Sequence, residues 1–406
     1  MEKFNTLIKK GVNQGMTDVH ISGGHPIVFR RNGKIGFDHK NIWMHKEIDT
    51  LVGKLLTIEQ IETLKTRLSV DVAKSVAHVR LRINIFLTTR GISIAVRLLP
   101  GAVPRFEDLN LHPSLRKFCD LEAGLILICG TTGSGKSTSI AAMVSEINNS
   151  RPVHIITLED PVEYRFVSRM AFIEQRELYT HIPSFERGLI DVLREDPDVI
   201  VVGELREPET IRLTLNAAES GHLVIASLHA TNSEDALYRI CNSFPLEAQI
   251  FVRSQLASSL SLVLIQRLDY MERVGFRLPV LSIMAGTQSI KGLIKDDKFS
   301  QIENAIQTGK SSDMFTMGQY RKDYLEKRTR FTPPAEIFRP SEEQSDEIVY
   351  ESPFLKKSMA YHDFSPRKTA PVDKKLKQTT FNHQGEYVID SMDTMQDVLK
   401  ELKQSD

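Results

Sequence analysis

Residues 124–147 read GLILICGTTGSGKSTSIAAMVSEI, which is an apolar run, a glycine-rich turn and a helical stretch in direct succession. The turn holds the complete pattern GxxxxGK[ST] from Gly130 to Ser137. Glycines at these positions let backbone N–H groups approach and cradle phosphates, and the N-terminus of the following helix favours negative charge. We therefore expect a strand, a phosphate-binding loop and a helix. An ordinary glycine turn, the alternative, would not need a strand before it and a helix after it.

This loop supplies the candidates for nucleotide binding. Lys136 is expected to reach the β- and γ-phosphates, and the hydroxyl of Ser137 is expected to bind Mg²⁺. The candidates are Gly130, Thr131, Thr132, Gly133, Ser134, Gly135, Lys136, Ser137 and Thr138.

The region around the loop, residues 116–330, alternates short apolar strands with helical stretches. The strand segments are GLILICG (124–130), HIITL (154–158), DVIVVG (198–203) and HLVIASL (222–228). Such alternation implies a parallel sheet with helices on its faces, so the predicted fold class is α/β.

Residues 1–100 have a different pattern, with two hairpins around a helical stretch. The first hairpin, PIVFRRNGKIGF (26–37), turns on Asn32-Gly33, a dipeptide suited to a type I′ turn. In the second, apolar and polar residues alternate along 79–85 and 92–98, so the arginines share one sheet face. The stretch LVGKLLTIEQIETLKTRL (51–68) has helical spacing. We predict a small α+β domain, followed by a proline- and glycine-marked linker over 101–115.

Residues 331–406 lose both patterns. An acidic block at 342–351 precedes a basic stretch at 356–377, and such segregated charge with few apolar residues is typical of a flexible tail. Met392, Met395, Leu399 and Leu402 would share a helix face. We expect that face to order, if anywhere, on a partner protein.

Composition limits the class of protein. The chain has 406 residues, 41% hydrophobic and 26% charged, with 52 basic and 52 acidic side chains. Zero net charge is unlike a dedicated nucleic-acid binder, so no specific nucleic-acid partner is expected. No signal peptide and no apolar run of about 20 residues is seen, which favours the cytosol. Three scattered cysteines support neither a disulfide framework nor a zinc site.

Acidic side chains follow two of the predicted strands. Glu159, Asp160 and Glu163 come after HIITL, at the carboxyl end of a parallel strand, where open α/β sheets bind ligands. DVIVVG ends in Glu204, as in a Walker B segment, but Gly203 fills the usual aspartate position. The simpler alternative for the carboxylates after HIITL is a solvated loop. The simpler alternative for Glu204 is a carboxylate at the N-terminus of the next helix.

Two histidines bracket the last predicted strand. His222 precedes LVIASL and His229 follows it. A histidine at a strand end usually packs as a hydrogen-bonding group, but beside a phosphate site each is a candidate sensor of the γ-phosphate.

Taken in order, these segments resemble the Walker A, Asp box, Walker B and His box of the secretion ATPase superfamily. They are GTTGSGKSTS (130–139), LEDPVEY (158–164), LREDPDVIVVGELREPETIRL (193–213) and AAESGHLVIASLHATN (217–232). Within it the chain is most similar to the PilT-type twitching-motility ATPases, which retract type IV pili. TDVHISGG (17–24), RLRIN (80–84) and IMAGTQSIKGLIKD (283–296) match that family too. The resemblance covers residues 1–330.

The resemblance implies a hexameric ring in which a PAS-like N-terminal domain moves against a RecA-like ATPase domain. ATP, with Mg²⁺, would bind between them, and the ring would act on an inner-membrane pilus platform protein, to which this cytoplasmic motor attaches peripherally. Glu163 would orient or deprotonate the attacking water, and Glu204 would help hold Mg²⁺.

An arginine near the γ-phosphate is also expected, since charge stabilisation supplies much of phosphoryl-transfer catalysis. The sheet face with Arg80, Arg82 and Arg97 is the predicted source, and the family pattern favours Arg82 and Arg97. Pairing of these arginines with surface carboxylates is the alternative. Arg194 is a weaker candidate that would otherwise anchor its helix.

The chain departs from the family in the retraction-associated motif, typically AIRNLIRE. Here it reads SIKGLIKD (289–296), with lysines for both arginines, and lysine cannot form a bidentate fork. Upstream, Leu281-Ser282 replaces a His-Glu pair.

Other functions stay open at this stage. The nearest alternative is an assembly ATPase of a pilus or of a type II or type IV secretion system, but such motors usually carry an additional N-terminal domain and many have a tetracysteine zinc site. Dot/Icm-type secretion ATPases are similarly short and stay open as an alternative. A RecA-like DNA translocase would need basic loops, and the neutral composition argues against it. A regulatory subunit of the ring would not need intact Walker A, Asp-box and Walker B motifs, which this chain has.

Overall fold

The structure is a computed structural model that describes residues 1–31, 33–76, 79–99 and 103–337. The predicted turn residue Asn32 lies outside the described residues, and so do both charge blocks of the predicted tail and the helix face at 392–402. Among the residues that are described, no helix is long and apolar enough to cross a membrane.

The N-terminal part forms a six-stranded antiparallel sheet in the order β3-β2-β1-β6-β5-β4. The strands are β1 (Met16–Ser22), β2 (Pro26–Arg31), β3 (Lys34–Ile42), β4 (Ser69–Val76), β5 (Val79–Thr88) and β6 (Gly91–Leu98). Both predicted hairpins are present, because β2 pairs with β3 and β5 with β6. The first turn joins paired residues Arg31 and Lys34, and Gly33 has a φ of +79° there.

Alternation divides this sheet into an apolar and a polar face. Leu81, Ile83 and Ile85 are buried on β5, and they pack with α1 (Glu2–Asn13) and α2 (His45–Leu55) in one core. The other face carries Arg80, Arg82 and Arg97, which we call the arginine face. Period-two spacing alone predicted this division.

The helical stretch predicted at 51–68 is two helices, α2 and α3 (Ile58–Arg67). Thr57 ends the continuity because its hydroxyl accepts from Gln60 N–H (3.3 Å) while the Gln60 side chain accepts from Thr57 N–H (3.0 Å). This reciprocal capping box marks a helix start, a signal that the apolar spacing does not contain.

The second sheet has seven strands in the order β13-β12-β7-β11-β10-β8-β9. The strands are β7 (Gly124–Cys129), β8 (His154–Glu159), β9 (Phe172–Glu177), β10 (Val199–Val202), β11 (Leu223–Leu228), β12 (Leu260–Met271) and β13 (Phe276–Ala285). All neighbours are parallel except the hairpin β12-β13. The four predicted strands are confirmed, and the α/β fold class with them.

Helices cover both faces of this sheet and bury its apolar side chains. On one face, α4 (Lys136–Ser150) packs through residues such as Val144 and Ile147. The other face is covered by α5 (Phe185–Val192), α6 (Pro208–Glu219), α7 (Ser233–Asn242), α8 (Leu246–Ser259), α9 (Gln288–Lys295) and α10 (Ile302–Thr308). Two short helices follow, α11 (Met317–Gln319) and α12 (Pro334–Ile337).

Both segments that flank the second sheet contribute to its packing. Phe106 and Leu109, in the predicted linker, are buried in the same core as α4. Phe331 and Ile337, at the start of the predicted tail, pack against that core too. The exact domain bounds stay a prediction, but these residues do not lie apart from the α/β layer.

Candidate functional site

Four parallel strands bring the sequence motifs to one edge of the second sheet. Because β7, β8, β10 and β11 run in the same direction, their carboxyl ends meet at that edge. Gly130 follows β7, Glu159 ends β8, Glu204 follows β10 and His229 follows β11. We call it the loop edge.

The loop 130–137 takes a conformation that requires glycine at two positions. Gly130 has a φ of +150° and Gly135 a φ of +92°, values that side-chain-bearing residues rarely adopt. A Cβ on Gly130 would lie 2.4 Å from the Gln266 carbonyl oxygen, and one on Gly135 would lie 2.7 Å from Gln266 Nε2. Sterics alone therefore exclude larger residues.

Lys136 points back into the loop. Its Nζ donates to the carbonyl oxygens of Gly130 (2.8 Å) and Thr131 (3.2 Å). Burial lowers the pKa of Lys136, and the nearby carboxylates of Glu204 and Glu163 act in the opposite direction. The ammonium group is thus held inside the loop by backbone carbonyl oxygens of the loop itself.

The loop also has free capacity for an anion. Helix α4 starts at Lys136 after Gly135, which has no side chain to cap the first N–H groups. Ser134 Oγ is buried and has no hydrogen-bond partner among the described residues. Uncapped N–H groups at a helix N-terminus favour phosphate, so the residues present fit a nucleotide.

The acidic segment after β8 surrounds a half-buried carboxyl group. Glu159 Oε1 accepts hydrogen bonds from Thr157 Oγ1 (2.7 Å) and Gln175 Nε2 (3.0 Å). Burial nevertheless raises the pKa of Glu159 to about 7, and the negative charge of Glu163 makes a smaller contribution in the same direction. Glu159 is thus a half-buried acid held by its neighbours, whereas Asp160 is exposed.

Tyr164 ties this acidic segment to the phosphate loop. Its hydroxyl lies 3.0 Å from Thr138 Oγ1, and its side chain is buried. The adjacent Glu163 is half-buried and close enough for its charge to act on Lys136. The structure thus brings the predicted water-activating carboxylate to the loop edge.

Glu204 lies between His229 and Arg206. Its Oε1 is 3.2 Å from His229 Nε2 and its Oε2 is 2.5 Å from Arg206. A Cβ on Gly203, the residue before it, would lie 3.0 Å from the Leu158 carbonyl oxygen. An aspartate at this position would therefore need β10 and β8 to move slightly apart.

The structure does not bring His222 to this site. It precedes β11, whereas the loop edge is at the other end of that strand, about 20 Å away for six residues. His222 Nδ1 contacts the Ala217 carbonyl oxygen (3.0 Å) and Ser220 Oγ (3.1 Å). The predicted role as a sensor of the nucleotide in its own chain is corrected accordingly.

The arginine face is paired with carboxylates. Arg97 Nε lies 2.9 Å from Asp18 Oδ1, and Arg82 Nε lies 3.9 Å from Asp71 Oδ1. Both partners belong to the same sheet as the arginines.

Arg80, by contrast, reaches Glu177 Oε2 on β9 of the second sheet, at 3.6 Å. Glu177 Oε2 also accepts from Val162 N–H (3.1 Å), next to Glu163. Arg194 is exposed on the surface.

Three contributors to this site were not predicted from sequence: Tyr164, Gln175 and Gln266. The signal for Gln266 was present, since it is a polar residue inside the apolar run LSLVLIQRL (260–268). Gln175 and Tyr164 have no such signal, because loops and edge strands often carry polar or aromatic side chains.

A parallel sheet with this loop, flanking carboxylates and a histidine at one edge defines a P-loop nucleoside triphosphatase. Comparison with known proteins narrows the class. A family model described as type II/IV secretion system protein matches residues 4–272. The chain belongs to this family, and it is an ATPase of the secretion ATPase group.

Its relatives include pilus motors. The type IV pilus retractation ATPase PilT of Pseudomonas aeruginosa is 38% identical over 323 residues, 79% of this chain and 93% of that protein. A twitching motility protein of Neisseria gonorrhoeae is 40% identical over 275 residues, 68% of this chain and 74% of that protein.

A crystal structure of the pilus retraction motor PilT with bound ADP superposes with a TM-score of 0.72 at 34% identity. It covers 84% of this chain and 97% of the other. Nucleotide binding by the family is thus seen directly in that structure.

Proposed function

We propose that this chain is the ATP-hydrolysing subunit of a hexameric motor that powers retraction of a type IV pilus. The observation that carries the proposal is the convergence of Lys136, Glu163, Glu204 and His229 on the loop edge. Similarity to retraction ATPases over most of the chain supports the biological role.

Lys136 binds the β- and γ-phosphates, while the loop N–H groups hold them in place. The Ser137 hydroxyl and Glu204 would hold Mg²⁺, since this ion commonly takes one or two protein oxygens plus phosphate oxygens. Bound Mg²⁺ neutralises charge on the phosphate oxygens.

Glu163 orients the attacking water or takes its proton. His229 contacts Glu204 and reads the presence of the γ-phosphate. Arg82 and Arg97 stabilise the charge of the transition state once they leave Asp71 and Asp18. The nucleotide then binds both sheets, and its hydrolysis changes the angle between the two domains.

In the assembled machine, the ring transmits this change to an inner-membrane platform protein. The motor is cytoplasmic and attached to the membrane only through that complex. The predicted tail, residues 331–406, would bind a further partner.

The enzymatic part is tested by phosphate release from purified variants. Lys136→Ala should abolish turnover and leave a folded protein, because the phosphates lose their main cation. Lys322→Ala is the matched control, since that lysine is exposed and far along the chain from every motif. Unchanged turnover in Lys136→Ala would exclude this site as the catalytic one.

The direction of movement is tested in cells that lack the gene. Excess surface pili that do not retract would support the proposal, whereas absent pili would indicate an assembly ATPase. Sedimentation of the purified protein with ATP should give the mass of a hexamer.

A further inference from the structure

Gln266 connects the edge hairpin to both sides of the phosphate loop. It lies on β12 and is 4% exposed. Its Nε2 donates to the Ser134 carbonyl oxygen (2.8 Å), and its Oε1 accepts from Ser139 Oγ (2.7 Å). Ser134 and Ser139 are buried as well. A buried amide with both ends engaged has one orientation, because a flip would set two oxygens against each other.

The backbone of Gln266 adds a third contact with the loop. Its carbonyl oxygen packs on Gly130, and its side-chain nitrogen packs on Gly135. The first and last glycines of GTTGSG therefore both close on this one residue. The loop contacts the backbone of Gln266 at Gly130 and its side chain at Ser134 and Gly135, so movement of the loop is coupled to β12.

We infer that Gln266 is a positioning residue for nucleotide hydrolysis. By holding the Ser134 carbonyl and the Ser139 hydroxyl, it aims the N–H groups of the loop and of the first turn of α4 at the phosphates. It acts through the loop and does not contact the nucleotide. The inference rests on the proposed ATPase function of this site.

The main test replaces Gln266 with methionine, which keeps the length of the side chain and removes both hydrogen bonds. ADP binding, measured by calorimetry, should weaken about tenfold, as expected for a loss of about one or two buried hydrogen bonds. The KM for ATP should rise by a similar factor, and kcat should change by less than about threefold, because the loop binds phosphate in the ground state too.

Gln255→Met is the matched control. Gln255 is also a buried glutamine of the second domain, and its Nε2 donates to Asn216 and Glu219 at 2.9 Å each. This variant should lower the melting temperature to a similar extent but leave ADP affinity and KM unchanged. A purely structural role for Gln266 would make the two variants behave alike.

Gln266→Glu provides a rescue by protonation. A neutral carboxyl group can donate to Ser134 and accept from Ser139, whereas the ionised form can only accept. ADP affinity relative to wild type should therefore be near normal at low pH and fall as the pH rises, and burial should raise the pKa of the introduced acid.

Ser139→Ala removes one of the two side-chain hydrogen bonds of Gln266 and leaves β12 unchanged. Its loss of ADP affinity should be smaller than that of Gln266→Met. Wild-type ADP affinity in Gln266→Met and Ser139→Ala, or in Gln266→Glu at every pH, would overturn the inference. The ATPase function is judged separately, on the wild-type protein. Hydrolysis of ATP by wild type supports the proposed function even if the inference about Gln266 is wrong, whereas ADP binding without ATP hydrolysis contradicts the proposed function.

Discussion

The loop edge and the arginine face hold their charged groups in opposite ways. At the loop edge, Lys136 is held by carbonyl oxygens of its own loop, and the glycines close on Gln266. On the arginine face, Arg82 and Arg97 are paired with carboxylates of their own sheet. The first site is formed before the nucleotide binds, whereas the second must exchange partners to take part in catalysis.

The largest effect is expected when the arginines of the arginine face are removed, which tests whether they take part in catalysis. Arg82→Ala and Arg97→Ala should each lower kcat by about 10³-fold, because an arginine at the γ-phosphate contributes about that much or more. Stability should hardly change, since such exposed ion pairs contribute at most about 1 kcal/mol. Phosphate release and thermal melting measure the two effects.

Asp71→Asn and Asp18→Asn serve as controls for the same experiment. They remove the carboxylate partners and leave the arginines in place, so turnover should not fall. If the arginine variants keep wild-type turnover, these side chains only pair with surface carboxylates.

Glu163→Gln tests the catalytic chemistry of the preformed site. The amide keeps the shape of the side chain but cannot accept a proton, so kcat should fall by about 10²- to 10⁴-fold with ADP binding intact. Glu209→Gln, at an exposed i,i+3 pair with Arg212, should have no effect. Full turnover in Glu163→Gln would assign the water-activating role to another group.

Stability should depend on pH through Glu159 at the loop edge. Its carboxyl has a pKa of about 7 when folded against 4.5 for the free side chain, so the folded chain binds more protons between these values. The free energy of unfolding should therefore fall as pH rises from about 4.5 to about 7, by at most about 3–4 kcal/mol. Below that window both states are protonated, and above it the contribution is constant.

Denaturant unfolding at pH 5 and pH 7.5 measures this slope. In Glu159→Gln the contribution of this carboxyl group to the pH dependence of unfolding should be absent, because the amide does not titrate. An equal slope in wild type and variant would show that Glu159 is ionised throughout.

Arg80→Met probes the contact of the arginine face with Glu177 of the second sheet. Arg80 and Glu177 are 13% and 17% exposed, so removing the cation should reduce stability by roughly 1–2 kcal/mol. Arg97→Met removes an arginine that is 47% exposed and should lose less than about 1 kcal/mol. Equal losses by denaturant unfolding would mean that the contact between the sheets adds no stability.

The local patterns of this chain predicted most of the fold. The four central strands and the phosphate loop were predicted because each is encoded by consecutive residues. Strands β9, β12 and β13 were not predicted. The polar residues of β9 weaken its apolar pattern, and the pairing of β12 with β7 joins segments that are distant in sequence.

The candidate site divides in the same way. Lys136 and Glu204 are placed by the ends of predicted strands, so their meeting follows from parallel order. The distance of His222 from the loop follows from the same parallel order, because His222 precedes β11. The contacts of Gln266 depend on which strand borders β7, and no pattern within the segment 260–268 contains that information.

The pair of hydrogen bonds between Asn110 and Thr332 has a consequence for the timing of folding. Asn110 Nδ2 donates to the Thr332 carbonyl oxygen and Thr332 N–H donates to Asn110 Oδ1, both at 2.9 Å and across 222 residues. The layer that they close cannot be completed until residue 332 has left the ribosome.

The N-terminal sheet is complete in sequence at Leu98. At synthesis rates of about 5–20 residues per second, it has on the order of 10–50 s to fold alone before the rest of the chain can close. In the nascent chain, the residues of the arginine face are therefore synthesised before the site that it is proposed to serve.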